Sequence, residues 1–266
     1  MKLSISNIAW KSEMDGAIYK RMKEYGYEGL EIAPTRIWPE QPYDRLAEAK
    51  EWAGALWEQF GFCVPSMQSI WFGVQERLFE SSQGRAFLKE HTKKAIDFAV
   101  AIHCGNLVFG CPRNRQIPPG LAKEEVEKTA VAFFREIGDY AYSQGTAIGM
   151  EANPPIYHTN YINGTAEALE LIESVASEGF KLNLDVGTMI ENGESTDLLH
   201  GKGKWIRHVH ISEPHLAPIQ CRPLHDSLAA LLREEGYSGY VSIEMGKQED
   251  ESTIEKALLY VKEVFA

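Results

Sequence analysis

One short pattern recurs along the chain and limits what it can fold into: an amphipathic stretch runs into a glycine, and a short apolar or β-branched segment follows. It occurs at Gly26 (KEYGYEGLEI), Gly61 (EQFGFCVPSM), Gly105 (IHCGNLVFG), Gly145 (YSQGTAIGME), Gly179 (SEGFKLNLD), Gly203 (GKGKWIRHVHI) and Gly236 (EEGYSGYVSIE). The intervals are 35, 44, 40, 34, 24 and 33 residues. Glycine takes the left-handed conformation that closes a helix without steric cost, so each marks an expected helix-to-strand junction. Seven junctions and an N-terminal strand over Leu3–Ala9 give eight strands. Apolar residues at three- and four-residue spacing predict helices over Asp15–Tyr25, Tyr43–Phe60, Gly84–Ile102, Lys123–Ser143, Ala166–Ser177, His225–Glu235 and Ile254–Val264. Asp15, Thr165 and Ser252 are the expected N-caps.

Regular alternation of strand and helix leaves two architectures, an open doubly wound sheet or a closed (β/α)8 barrel. Eight units in 266 residues match the barrel. No GxGxxG follows the first strand, as a dinucleotide-binding sheet would require. No Pro/Ser-rich linker divides the chain. The expectation is an α/β protein, a single (β/α)8 TIM barrel over residues 1–266.

Charge narrows the partners. Lys plus Arg number 27 against 38 Asp plus Glu, a formal net charge of -11 with no basic block, so no nucleic acid is expected as partner. No apolar run approaches the roughly 20 residues of a membrane span, and the first residues lack the long apolar core of a secretory signal. Cys63, Cys104, Cys111 and Cys221 show no CxxC spacing and read as reduced thiols, which points to the cytoplasm. The aromatic-rich second helix, with Trp52 and Trp57, suits either a homo-oligomer face or packing against the barrel.

Barrel active sites form where the strands end at their C-terminal side. Strand two ends near Glu31, strand five at Glu151, strand six at Asp185, strand seven in His208-Val209-His210 and strand eight at Glu244. One carboxylate ending a strand is ordinarily a cap or an ion-pair partner. Four consecutive strands ending in ligand-capable residues are different, because carboxylates crowded into a barrel mouth repel unless a cation lies between them. Glu151, Asp185, His210 and Glu244 are therefore the expected ligands of one divalent cation. Three oxygen donors and one nitrogen suit Mn²⁺ first, with Mg²⁺, Co²⁺ or Zn²⁺ as alternatives. Alternation puts His208 on the same face as His210 but one layer deeper, where it supports a ligand rather than acting as one.

The segments GMEANPP, LNLDVGT, HVHISEP and SIEMG, in this order, resemble the xylose-isomerase-like barrel superfamily of sugar epimerases and isomerases. The resemblance follows strand order along the whole chain, with its discriminating motifs in the second half. It implies a metal-binding quartet at Glu151, Asp185, His210 and Glu244, with Glu151 and Glu244 as acid/base pair. One carboxylate would remove a proton beside a carbonyl, the cation would stabilise the enediolate, and the other carboxylate would return the proton. The ketose 3-epimerase pattern is incomplete. Thr188 stands where those enzymes have a histidine three residues after the aspartate, Tyr157 replaces their second glutamate, and Leu216 replaces a substrate-binding arginine.

The implied substrate is a small sugar or sugar phosphate. Arg36, Arg113 and Arg115 are candidate anion forks, Gln68, His158 and Asn160 candidate hydroxyl partners, and Glu213 and His215 follow His210 in a loop that either faces the substrate or is braced by an ion pair. Trp10, Trp38 and Trp71 follow the first three strands and suit either a sugar-facing wall or the core. Competing functions are a dehydratase of a polyol or hydroxy acid, an endonuclease IV-like nuclease, and a non-catalytic sugar sensor. The nuclease would need further histidines after strands three and four, where the sequence reads PSMQSIW and VFGCPRN.

Overall fold

The structure is a computed structural model that describes residues 1–266. The elements run β1 (Lys2–Ser6), α1 (Asp15–Glu24), β2 (Gly29–Glu31), α2 (Pro34–Ile37), α3 (Leu46–Phe60), α4 (Ser82–Ala101), β3 (Leu107–Phe109), α5 (Lys123–Ser143), β4 (Ile148–Met150), α6 (Thr165–Val175), β5 (Phe180–Asp185), α7 (Val186–Asn192), β6 (Ile206–Ile211), α8 (Pro223–Glu234), β7 (Tyr240–Ile243) and α9 (Glu251–Phe265). All seven strands are parallel in the order β2-β1-β7-β6-β5-β4-β3. No helix is long and apolar enough to cross a membrane.

The third of the eight expected strands is not regular. Its run Phe62-Cys63-Val64-Pro65 contains a proline, which has no N–H to give to a ladder. The segment makes single bridges instead, Gly29 to Cys63 and Ile32 to Met67 on one side and Met67 to Leu107 on the other. Leu30 N–H donates to the Cys63 carbonyl at 2.9 Å, and Val108 N–H to that of Met67 at 2.8 Å. Residues 62–68 thus join β2 to β3 and complete the barrel, leaving one irregular seam.

Four of the seven junction glycines, Gly26, Gly61, Gly145 and Gly236, adopt positive φ between 69° and 84°. At the other three junctions the left-handed residue lies earlier: His103 (φ 56°), Ala176 (φ 50°) and Gly201 (φ 71°). Gly179 is required for a different reason. A Cβ there would lie 2.0 Å from the Gly138 carbonyl oxygen, where α5 crosses the start of β5. Gly179→Ala is expected to force the helix off the sheet and cost about 3 kcal/mol, read as a lower urea midpoint by circular dichroism.

The expected N-caps differ from the observed ones. Asp15 is inside α1 and accepts from Trp10 Nε1 at 2.7 Å, Thr165 follows the N-cap Gly164, and Asp250 rather than Ser252 caps α9. Side-chain alternation explains the barrel interior. On β1, β5 and β6 the residues Leu3, Ile5, Leu182, Leu184, Val209 and Ile211 share the apolar face, while Ser4, Ser6, Asn183, Asp185, His208 and His210 occupy the other. Both sets are buried, so the barrel has an apolar outer layer under the helices and a polar lumen leading to its mouth.

Candidate active site

Glu151, Asp185, His210 and Glu244 stand at the C-terminal ends of β4, β5, β6 and β7. One ligand-capable atom from each lies within 4.8 Å of the others. His210 is at the centre: its Nδ1 is 2.9 Å from Glu151 Oε1 and 3.2 Å from Glu244 Oε2. The ladder sets this meeting, since Asp185 pairs with His210 and His210 with Ser242, two residues before Glu244.

Three of the four members have supports of their own. Asn183 Nδ2 donates to Glu151 Oε1 at 2.9 Å, and Asn153 Nδ2 donates to Glu151 Oε2 at 3.1 Å. Thr188 donates to Asp185 Oδ2 from its backbone N–H at 2.8 Å and from its hydroxyl at 2.7 Å, while Ser212 donates to Oδ1. The other nitrogen of His210, Nε2, is 2.9 Å from Glu31 Oε2, and His208 Nε2 is 2.8 Å from the same oxygen. Gln68 Nε2 donates to Glu31 Oε1 at 3.0 Å and to Ser6 Oγ at 2.8 Å.

Burial and charge act together here. Burial alone would raise the Glu31 carboxyl, but His210 and His208 hold it well below the usual carboxylate range. Burial alone would lower the His210 imidazole, yet Glu31 and then Glu244 hold it well above its ordinary value. His208 is pushed down by burial against the pull of Glu31. Burial pushes Glu244 up to about 7 against the pull of His210, and Glu151 and Asp185 add to the rise. Asp185 is raised by burial and by Glu151. Three carboxylates with so few cationic neighbours form a donor set that a divalent ion fits. His210 Nδ1 faces that set while its far nitrogen is oriented by a carboxylate, an arrangement that fixes the tautomer of a ligating histidine.

The cleft above the quartet is lined by Gln68, Asn153, Tyr157, Ser212, Glu213 and Leu216, among others. The Tyr157 hydroxyl accepts from the His215 N–H at 2.8 Å, and burial pushes this phenol up to about 12. Glu213 is buried and gripped by Arg222, whose Nε is 2.7 Å from Oε1. It braces the loop.

Several expected substrate contacts are elsewhere. Arg115 is wholly buried and points inward, donating to the Glu151 carbonyl at 2.8 Å and to Asn153 Oδ1 at 2.9 Å. Arg113 and His158 are exposed and do not line the cleft. Asn160 is consumed by Ile117, accepting its N–H at 2.8 Å and donating to its carbonyl at 3.1 Å. Trp38 is in the core, edge-on to Trp52 and Phe98. Trp10 and Trp71 are also buried, with Trp71 Nε1 donating to Thr92. His215 is exposed, its ring edge-on to Tyr157. Arg36 pairs with Asp15 at 2.6 Å and lines a neighbouring cleft.

Asn183, Asn153, Ser212 and Tyr157 were not anticipated as functional groups. Alternation offered a signal for two of them: Asn183 shares a face with Asp185, and His208, His210 and Ser212 continue one face through the end of β6.

Comparison with known proteins adds the following. A family model described as xylose isomerase-like TIM barrel matches residues 19–264. The 2-oxo-tetronate isomerase of Haemophilus influenzae (strain ATCC 51907 / DSM 11121 / KW20 / Rd) is 28% identical over 161 residues, covering 56% of this chain and 58% of that protein. The match therefore spans little more than half the length of this curated relative. D-psicose 3-epimerase from Clostridium cellulolyticum H10 superposes with a TM-score of 0.79 at 16% identity, covering 100% of this chain and 99% of the other. The 3-keto-D-glucoside 4-epimerase of E. coli gives 0.77 at 19%, covering 99% of each. The IolI protein with a bound zinc atom gives 0.73 at 20%, covering 99% and 96%. At these identities the structural likenesses establish the barrel fold.

Proposed function

Because this chain belongs to the xylose isomerase-like TIM barrel family, we propose that it is a divalent-metal-dependent sugar isomerase or epimerase, acting by proton removal beside a carbonyl through an enediolate. The observation that carries this reading is the convergence of Glu151, Asp185, His210 and Glu244 within 4.8 Å at the barrel mouth. Relatives named as sugar isomerases and epimerases support it. The three-oxygen, one-nitrogen donor set favours Mn²⁺, with Mg²⁺, Co²⁺ and Zn²⁺ next. We take residues 1–266 as one barrel domain working in the cytoplasm, with a small-molecule sugar and no nucleic acid as partner.

When bound, the cation supplies Lewis-acid polarisation of a carbonyl and its neighbouring hydroxyl, easing loss of the intervening proton. The protein's own groups do the proton transfer. Glu151 and Glu244 approach His210 Nδ1 from different strands, so they present two bases to one small volume. One takes the proton, and the other returns it to the opposite face or to the adjacent carbon. Glu151 is fixed through both oxygens by Asn183 and Asn153. Tyr157 stays protonated, and because its oxygen already accepts from a backbone N–H, its own proton is free to meet a substrate oxygen.

A panel of aldoses, ketoses, sugar acids and their phosphates, incubated with Mn²⁺ in D₂O and followed by proton NMR, tests the reading. Expected is deuterium incorporation beside the carbonyl of at least one member, abolished by chelation and restored by Mn²⁺. Exchange that is indifferent to chelation would refute the metal-dependent reading; loss of water with a new alkene signal would make the protein a dehydratase.

A further inference from the structure

A second, larger cleft opens on the same face of the barrel. Its volume is about 640 Å³, against about 170 Å³ for the cleft over the quartet. The residues lining it follow β1, β2, the 62–68 seam and β7, and Ser69 belongs to both clefts. The two adjoin at Ser69. The larger one has the volume of a complete small-molecule site, so a substrate confined to the quartet would leave most of the mouth unused.

Its lining has a definite chemistry. Lys11, Glu13, Thr35, Arg36 and Lys247 supply donors and acceptors, and Phe72 supplies an aromatic face. Lys11 is already paired with Glu249 and Arg36 with Asp15, which leaves Glu13 and Lys247, one charge of each sign, so the cleft has little net charge. That balance suits a neutral polyol better than a phosphate. Phe72 is 73% exposed, so its ring face is open to a ligand in the cleft. The turn holds it there: Ser69 adopts φ 58° and Gly73 φ 82°, Phe72 N–H donates to the Ser69 carbonyl at 2.9 Å, and the adjacent Trp71 is anchored inward. An aromatic face beside paired charges matches a sugar ring, which has an apolar face and a rim of hydroxyls.

We infer that the larger cleft is a subsite for a second, uncharged sugar ring, so that the substrate is a keto sugar bearing a glycosyl group rather than a free monosaccharide. The inference rests on the proton-transfer reading above and names the substrate class of that same mouth.

The test uses the full-length, Mn²⁺-loaded protein in D₂O, comparing D-fructose with the glucosyl-fructoses turanose, maltulose, isomaltulose and trehalulose. At least one disaccharide should exchange its proton beside the carbonyl with a kcat/KM about tenfold or more above that of D-fructose. Phe72→Ala should lower the disaccharide-to-monosaccharide ratio about tenfold, mainly through KM, and Phe72→Tyr should restore it. Exchange with D-fructose that no second ring improves, or a ratio that Phe72→Ala does not move, would overturn the subsite and leave the proton-transfer reading standing. Absence of exchange from the whole set, together with failure of the broader panel above, would overturn both.

Discussion

Glu151→Gln and Glu244→Gln are each expected to reduce solvent-deuterium incorporation by roughly 10²–10⁴-fold, the usual worth of a positioned acid or base, while the folded state persists. Glutamine preserves the shape of the side chain and removes its basicity. At position 151 the amide oxygen can still accept from one of the two asparagines, but the new NH₂ must face the other amide donor, a loss of about 1 kcal/mol. Against that, both changes remove one of three crowded carboxylates, so the melting temperature of the metal-free protein should change little or rise. Proton NMR gives the exchange rate and circular dichroism the melting curve. Undiminished exchange in either variant would remove that glutamate from the acid/base pair.

The second large effect concerns Glu31, which touches neither cleft. Its Oε2 serves both His208 and His210, and its Oε1 is held by Gln68. Glu31→Leu removes the partner of two buried imidazoles and is expected to cost about 3–5 kcal/mol of stability. Glu31→Gln is the gentler change, retaining one acceptor oxygen while turning an NH₂ toward a donor. It should weaken Mn²⁺ binding about 10–100-fold, the usual consequence of disturbing a carboxylate that orients a ligating histidine. Urea unfolding measures the first effect and calorimetric titration of the metal-free protein with Mn²⁺ the second. Wild-type values in both would show that His210 needs no orienting partner.

The quartet was readable from the sequence because each member ends a strand, and strand ends are marked by composition on both sides. Its immediate supports were only partly so. Ser212 and Asn183 follow from alternation, but the convergence of Glu31 with two histidines depends on how far apart β2 and β6 lie across the lumen, which no local pattern reports. The arginines show the same limit. Arg115 ends a tight turn, Pro112–Arg115, entered through Cys111 at φ 45°, and it points inward while Arg113 stays in solvent. A sequence gives both as loop arginines. Trp38 likewise could be assigned to wall or core only once Trp52 and Phe98 were seen against it.

The proline-containing seam has a bearing on where this barrel opens. Native proteins fluctuate through local openings, and a segment held by isolated bridges has less cooperative protection than one in a continuous ladder. The amides of residues 62–68 are therefore expected to lose hydrogen-exchange protection before those of β4–β7, which native-state exchange followed by NMR would read. The seam ends at Gln68, which holds Glu31, and Ser69, where the two clefts meet. The same segment that lacks a regular ladder thus carries, through Gln68 and Glu31, a hydrogen-bonded contact to His210, and it borders both clefts at Ser69.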